Sequence, residues 1–225
     1  MEDLNNIIAG AAKFNAQASH EVKPLLERLA REGQAPDALF ITCADSRIDP
    51  VNITQTKPGD LFILRNIGNL IPKANSEDSS VMATVEYSTG ALGVKTIVIC
   101  GHSDCGAMKV VLADKDLSTM PNAKNWLMHA DPSTQGYKNG QDDVVFAPGL
   151  PEVDKLSQIN VITQFENLLT YPSVREGIES GNLRLVGMWF DIGNAQLSMY
   201  NADTKRFTPI ADDGAGNRQE NMPRD

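Results

Sequence analysis

Residues 96–105 read Thr96-Ile97-Val98-Ile99-Cys100-Gly101-His102-Ser103-Asp104-Cys105, an apolar run that gives way abruptly to a histidine, an aspartate and a cysteine. A continuous apolar run of this length suits a parallel strand covered by helices on both faces, whereas a half-exposed strand would alternate. Two earlier stretches have the same character: Ala38-Leu39-Phe40-Ile41-Thr42 and Leu61-Phe62-Ile63-Leu64. A fourth run, from Leu183 to Phe190, leads to Leu197-Ser198-Met199-Tyr200 and reads as a hairpin turning near Ile192-Gly193-Asn194.

Helical periodicity fills the gaps between these runs. Residues 3–32 carry Ile7, Ile8, Ala11 and Phe14, then Val22, Leu25, Leu26 and Leu29, with Pro24 marking a break or a new start. Asp78-Ser79-Ser80 is placed to cap a helix through Val81, Val85 and Leu92, stopped by Gly93. Residues 152–170 repeat the pattern at Val153, Leu156, Ile159, Ile162, Phe165, Leu168 and Leu169. Strand and helix alternating in this way predict an α/β fold: a mainly parallel sheet flanked by helices, with a C-terminal hairpin or edge strand. We expect one domain over residues 1–225, with residues 1–32 as an N-terminal helical arm and 211–225 as a flexible tail. Residues 113–151, rich in Asp, Pro, Gly, Asn and Gln, read as an extended surface excursion with a short helix near Trp126 and Met128.

The composition narrows the function. The 225 residues carry 20 basic and 29 acidic side chains, a formal charge of −9. A phosphate-backbone binder needs a basic stripe, and no run of Lys or Arg supplies one. Neither nucleic acid nor a membrane is expected as a partner, since no apolar stretch approaches the ~20 residues of a bilayer span. The start, Met1-Glu2-Asp3-Leu4, is acidic and unlike a secretion signal. Three cysteines, an odd number, make no disulfide framework. The expectation is a cytoplasmic protein whose cysteines serve as core filler, nucleophile or metal ligand.

Two motifs lie just past the carboxyl ends of predicted strands: Cys43-Ala44-Asp45-Ser46-Arg47 and His102-Ser103-Asp104-Cys105-Gly106. Ligand sites in open parallel sheets form at that edge. If the two strands are neighbours, Cys43, His102 and Cys105 meet in one crevice. Two thiolates and an imidazole suit Zn²⁺, and three protein ligands leave a fourth position open, as in catalytic sites. The same residues also read as plain structure, with the cysteines as small buried hydrophobes and His102 as a satisfied helix-cap residue. Asp45 and Arg47 can form a charge-assisted pair facing such a metal, or a simple loop ion pair. Cys100, inside the strand, reads as core filler.

Cys-x-Asp-Ser-Arg followed about sixty residues later by His-x-x-Cys-Gly resembles the β-class carbonic anhydrases. The similarity extends through Pro58-Gly59-Asp60-Leu61-Phe62, Arg65-Asn66-Ile67-Gly68-Asn69-Leu70, Val85-Glu86-Tyr87 and Ile99-Cys100-Gly101-His102. It continues in Tyr171-Pro172, Gly181-Asn182-Leu183 and Gly187-Met188-Trp189-Phe190-Asp191. The resemblance implies one zinc per chain on Cys43, His102 and Cys105, whose bound hydroxide attacks CO2 to give bicarbonate and a proton. It implies that Asp45 orients that oxygen and Arg47 holds Asp45. In the plant-like subgroup a Gln, an aromatic and a Tyr line the substrate pocket, and Gln34, Phe62 and Tyr87 match them, with Ile67 as further apolar wall. Phe40 stands where the other subgroup has the Trp of a bicarbonate pocket, which leaves Arg65 without that partner.

The resemblance also implies a homodimer or dimer-built oligomer, with a tetramer favoured, because the pocket draws on two chains. Two rival activities share these residues: hydrolysis of CS2 or COS on the same fold, and a non-catalytic, zinc-binding regulatory role. Asp45, Arg47 and Gln34 speak against the last, since a purely structural zinc site needs none of them.

Overall fold

The computed structural model describes residues 2–76, 78–140 and 143–211. It begins with α1 (Glu2–Lys13), which passes through a π-helical turn at Phe14–Ala18 into α2 (Ser19–Glu32). Pro24, expected to break this region, lies inside α2, and the irregularity falls earlier, at Phe14–Ala18. No residue of α2 is buried, so water can take the carbonyl that Pro24 leaves without an N–H.

Beyond this arm come β1 (Ala38–Cys43), α3 (Pro50–Thr54), β2 (Leu61–Asn66) and α4 (Ser79–Glu86), the last continuing as a π-helical turn over Tyr87–Ala91. Asp78 stands at the N-cap of α4, but its side chain makes no capping bond. Then follow β3 (Thr96–His102), α5 (Gly106–Leu112), α6 (Pro121–Leu127), α7 (Asp131–Lys138), α8 (Glu152–Leu169) and α9 (Pro172–Glu179). The described chain closes with β4 (Arg184–Asp191), β5 (Gln196–Asn201) and β6 (Arg206–Pro209). No described helix is long and apolar enough to cross a membrane. The tail expected from Ala211 onward lies, after that residue, outside the described residues.

The strands form one six-stranded sheet in the order β2-β1-β3-β4-β5-β6. The first four run parallel, and β4, β5 and β6 pair antiparallel. This is the α/β architecture that the alternation predicts, with the hairpin turn between Asp191 and Gln196. Alternate side chains of the central strands enter separate cores. Leu39, Ile41, Ile97 and Ile99 pack on one face with Val161 and Tyr171, while Phe40, Val98 and Cys100 pack on the other with Met108 and Leu156. At about 1.5–3 kcal/mol for each large apolar side chain fully buried, these two layers hold the sheet. β2 departs from the expectation of full burial. As an edge strand it leaves Ile63 39% exposed.

α8 lies against β3 so closely that a Cβ on Gly101 would sit 2.7 Å from Val161 Cγ2 and 3.2 Å from the Ser157 carbonyl. Glycine is required there by the approach of the helix. The excursion expected over 113–151 carries more helix than the one short segment anticipated, all of it between Pro121 and Lys138. α6 and α7, joined by a 3-10 turn at Met128–Ala130, pack with Leu117, Leu127, Ala130, Ser133 and Val144 buried. Trp126 lies in α6, and Met128 opens the turn after it. β6 is an unanticipated addition, held partly by Phe207, whose ring lies 5.3 Å from that of Tyr200.

Candidate metal centre

From β1 the chain crosses to β2 on one side, and β3 then pairs on the other side of β1. The carboxyl ends of β1 and β3 therefore flank the crevice where strand order reverses, the favoured place for a ligand in an open α/β sheet. Cys43 is the last residue of β1, His102 is the last of β3, and Cys105 caps the start of α5. Their ligand atoms all lie within 4.8 Å of one another, and all three residues are buried.

His102 supports a cation at this point. Its Nδ1 lies 2.8 Å from the Ser103 carbonyl, which can only accept, so Nδ1 carries the proton and Nε2 keeps a lone pair. Nε2 is buried and has no hydrogen-bond partner among the described residues. An orphaned buried nitrogen costs about 1–3 kcal/mol, which a bound metal would offset. The thiols are unequal. The Cys105 thiol beside Cys43, then the Gly68 and Asp45 amides, bring the Cys43 thiol down despite its burial. The same contact with Cys43, together with burial, pushes Cys105 up. A thiolate, a neighbouring thiol and an imidazole lone pair in one buried cluster form a donor set that suits zinc.

Asp45 and Arg47 flank this cluster. Arg47 Nε donates to Asp45 Oδ1 at 3.0 Å and Nη2 to Oδ2 at 2.8 Å, while the Arg47 amide also donates to Oδ1 at 2.9 Å. These bonds, Arg47's side chain foremost, hold the Asp45 carboxyl well below the usual carboxylate range. The guanidinium has a second anchor in Asp104, with Nη1 donating to Oδ2 at 3.1 Å and Nη2 to the backbone carbonyl at 3.3 Å. Lys109 pairs with the other Asp104 oxygen, and the Asp104 amide donates to Asp154 Oδ1 at 2.7 Å. Asp104 sits at φ +58, a left-handed conformation that Asp tolerates better than most residues. Arg65 braces the strand end, donating to the carbonyls of Cys43 at 3.1 Å and Asp45 at 2.6 Å.

Among the residues expected to line a pocket, Phe62 and Tyr87 meet, their ring centroids 5.9 Å apart. Ile67 lies on the turn after β2 and is 49% exposed, as Tyr87 is at 50%. Gln34 is exposed in the loop before β1, and among the described residues no hydrogen bond ties it to the others. Phe40 is buried in the core. Cys100 is fully buried, and burial pushes its thiol up to about 12. It is core filler, as its place inside the strand implies.

Sequence reasoning missed Asp104, although it lies inside the His-x-x-Cys motif, because Lys109 and Arg47 become its neighbours only through folding. It also missed Trp126, whose Nε1 donates to the Ile67 carbonyl at 2.7 Å. No local signal in a polar stretch announces that contact. A third omission is the row of amides on α8. Asn160 donates to the Gly68 carbonyl at 3.0 Å, Gln164 accepts from the Ile71 amide at 2.7 Å, and Asn167 donates to the Ile71 carbonyl at 2.8 Å.

A buried Cys-His-Cys donor set at the switch point of a parallel sheet, beside a clamped carboxylate, is a centre of the kind carried by α/β metalloenzymes. Comparison with known proteins makes this specific. The family model described as carbonic anhydrase matches residues 38–197, and the chain belongs to that family. The "Carbonic anhydrase" of Pseudomonas aeruginosa is 38% identical over 209 residues, 93% of each chain. The solved β-carbonic anhydrase CcaA is 32% identical with a TM-score of 0.86, covering 94% of this chain and 93% of its own. A tetrameric β-carbonic anhydrase from Sordaria macrospora is 27% identical with a TM-score of 0.77, covering 94% of this chain and all of its own. Fold and sequence thus agree on the β class.

Proposed function

We propose that the chain catalyses the reversible hydration of carbon dioxide to bicarbonate and a proton, with one zinc ion held by Cys43, His102 and Cys105. The observation that carries this is the unpartnered, buried Nε2 of His102 facing two cysteine sulfurs beside the Asp45–Arg47 pair. A zinc ion in that set would supply a Lewis acid that makes a water deprotonable near neutral pH.

The chain's own residues do the rest. Asp45 accepts a hydrogen bond from the attacking water, which turns a lone pair toward the substrate. It stays ionised because Arg47 engages both carboxylate oxygens, and those oxygens keep lone pairs for water. Arg47, anchored in turn by Asp104, stops the carboxylate from rotating away. Phe62, Ile67 and Tyr87 form an apolar wall suited to a small nonpolar substrate, with Gln34 as the amide donor. In the single chain that wall is half open, which supports a dimer-built assembly in which a second chain closes it. The tetrameric Sordaria relatives point the same way.

The test is stopped-flow CO2 hydration with a pH indicator, run beside a CS2 hydrolysis assay on zinc-loaded protein. Fast CO2 hydration with no CS2 turnover is expected. CS2 turnover alone would transfer the same residues to the rival activity, and neither would leave a non-catalytic zinc protein.

A further inference from the structure

The peptide unit joining Ile67 to Gly68 is engaged at both ends. Its carbonyl accepts from Trp126 Nε1 at 2.7 Å, and its N–H donates to Cys43 Sγ at 3.4 Å. Gly68 lies at φ +79, and a Cβ there would come within 3.0 Å of the Ala107 Cβ, so both conformation and space call for glycine. The next carbonyl, that of Gly68, is held by Asn160, whose own Oδ1 accepts from Ser133 on α7 and from Gln164. The turn is therefore fixed from the α6–α7 region and from α8.

From this geometry we infer that Trp126 is a positioning residue for the metal site, acting on the Cys43 sulfur through the Ile67–Gly68 peptide. The inference rests on the proposal that Cys43 ligates the metal. An indole N–H bonded to a carbonyl polarises that peptide, and its N–H becomes a stronger donor at the other end. A stronger donor on the sulfur draws electron density from the thiolate. Two consequences follow for a bound metal: the thiolate is fixed in direction, and it donates less charge. α6 thus belongs functionally to the site through the Ile67–Gly68 peptide.

The experiment uses the full chain loaded with Co²⁺, whose thiolate-to-metal charge-transfer absorption reports on sulfur electron density. Wild type should show such a band. Trp126→Phe, which keeps an aromatic ring but removes the donor, should move the band to longer wavelength as the sulfur regains charge and, because the sulfur is no longer fixed in direction, weaken Zn²⁺ binding about tenfold, the lower end of outer-shell effects. Trp126→His, whose ring can still donate, should recover at least part of both. An unmoved band and unchanged Zn²⁺ affinity in a folded Trp126→Phe would overturn the inference. Absence of the band in wild type would instead overturn the metal assignment beneath it. In case Trp126→Phe does not fold, unmutated protein loaded with ¹¹³Cd²⁺ provides a separate measurement. A scalar coupling between cadmium and the Gly68 amide proton is expected through the N–H···S bond, and its absence would also overturn the inference.

Discussion

Arg47 grips Asp45 through two parallel bonds, Nε to Oδ1 at 3.0 Å and Nη2 to Oδ2 at 2.8 Å. The pair is separated by one residue, so the clamp is local, but its orientation is set by Asp104 from the far strand end. Asp45→Asn should keep the zinc and lose CO2 hydration by about 10²-fold or more, the scale of a positioned proton-handling group. Metal analysis beside stopped-flow rates decides it. A loss within about tenfold, roughly 1.4 kcal/mol of barrier, would remove Asp45 from its assigned role.

Ligand replacement should separate from that behaviour. Cys43→Ser and His102→Ala are expected to lose most of the zinc, beyond the ~10–100-fold cost of an outer-shell change. Plasma mass spectrometry of dialysed protein measures this. Full occupancy in both variants would move the metal elsewhere.

Tyr171 offers a test of stability away from the centre. Its buried hydroxyl donates to the Pro72 carbonyl at 2.7 Å, and burial, with Asp78 and Glu86 adding to it, raises its pKa above the ordinary value of 10.0. The folded chain therefore keeps the proton where the unfolded chain begins to lose it, so stability should fall as pH rises past 10.0. Tyr171→Phe should cost about 1–3 kcal/mol at neutral pH by orphaning the carbonyl. It should also flatten the alkaline loss, read from denaturant melts at pH 7 to 11.

The N-terminal arm leads to a prediction about assembly. Leu4, Ile7, Ile8 and Phe14 are all exposed, Ile7 at 70%. Deleting residues 1–30 should lower solubility, break the oligomer and abolish hydration together. Light scattering at assay concentration checks this, and a fully active monomer would refute a pocket shared between chains.

How much could be read beforehand follows from what burial does to sequence. β1 and β3 are covered on both faces, so apolar residues run without interruption and both strands stood out. The motifs at their ends stood out because strand ends in parallel sheets are where side chains converge. β6 did not, since four residues ending in Pro209 carry almost no periodic signal. The region of α6 and α7 looked like loop because Ser133 and its partner Asn160 are buried as a hydrogen-bonded pair, and polar residues in a pattern argue for solvent. The same blindness hid the amides of α8, where only the apolar half of the buried surface was visible. Pro24 misled for the opposite reason: a strong local breaker has little effect on a helix open to water.

Those α8 amides have a consequence for how the chain chooses one structure. Apolar surfaces tolerate sliding, and Leu156 or Val161 shifted by one helical turn would still find greasy neighbours. Asn160, Gln164 and Asn167 would not, because each meets a particular backbone group of Gly68 or Ile71. Displacing the helix by a turn strands several buried donors and acceptors at once, a penalty that no rearranged oil contact repays. The helix therefore works as a key cut to one lock, and the backbone it admits is the one that sets Gly68 against Cys43.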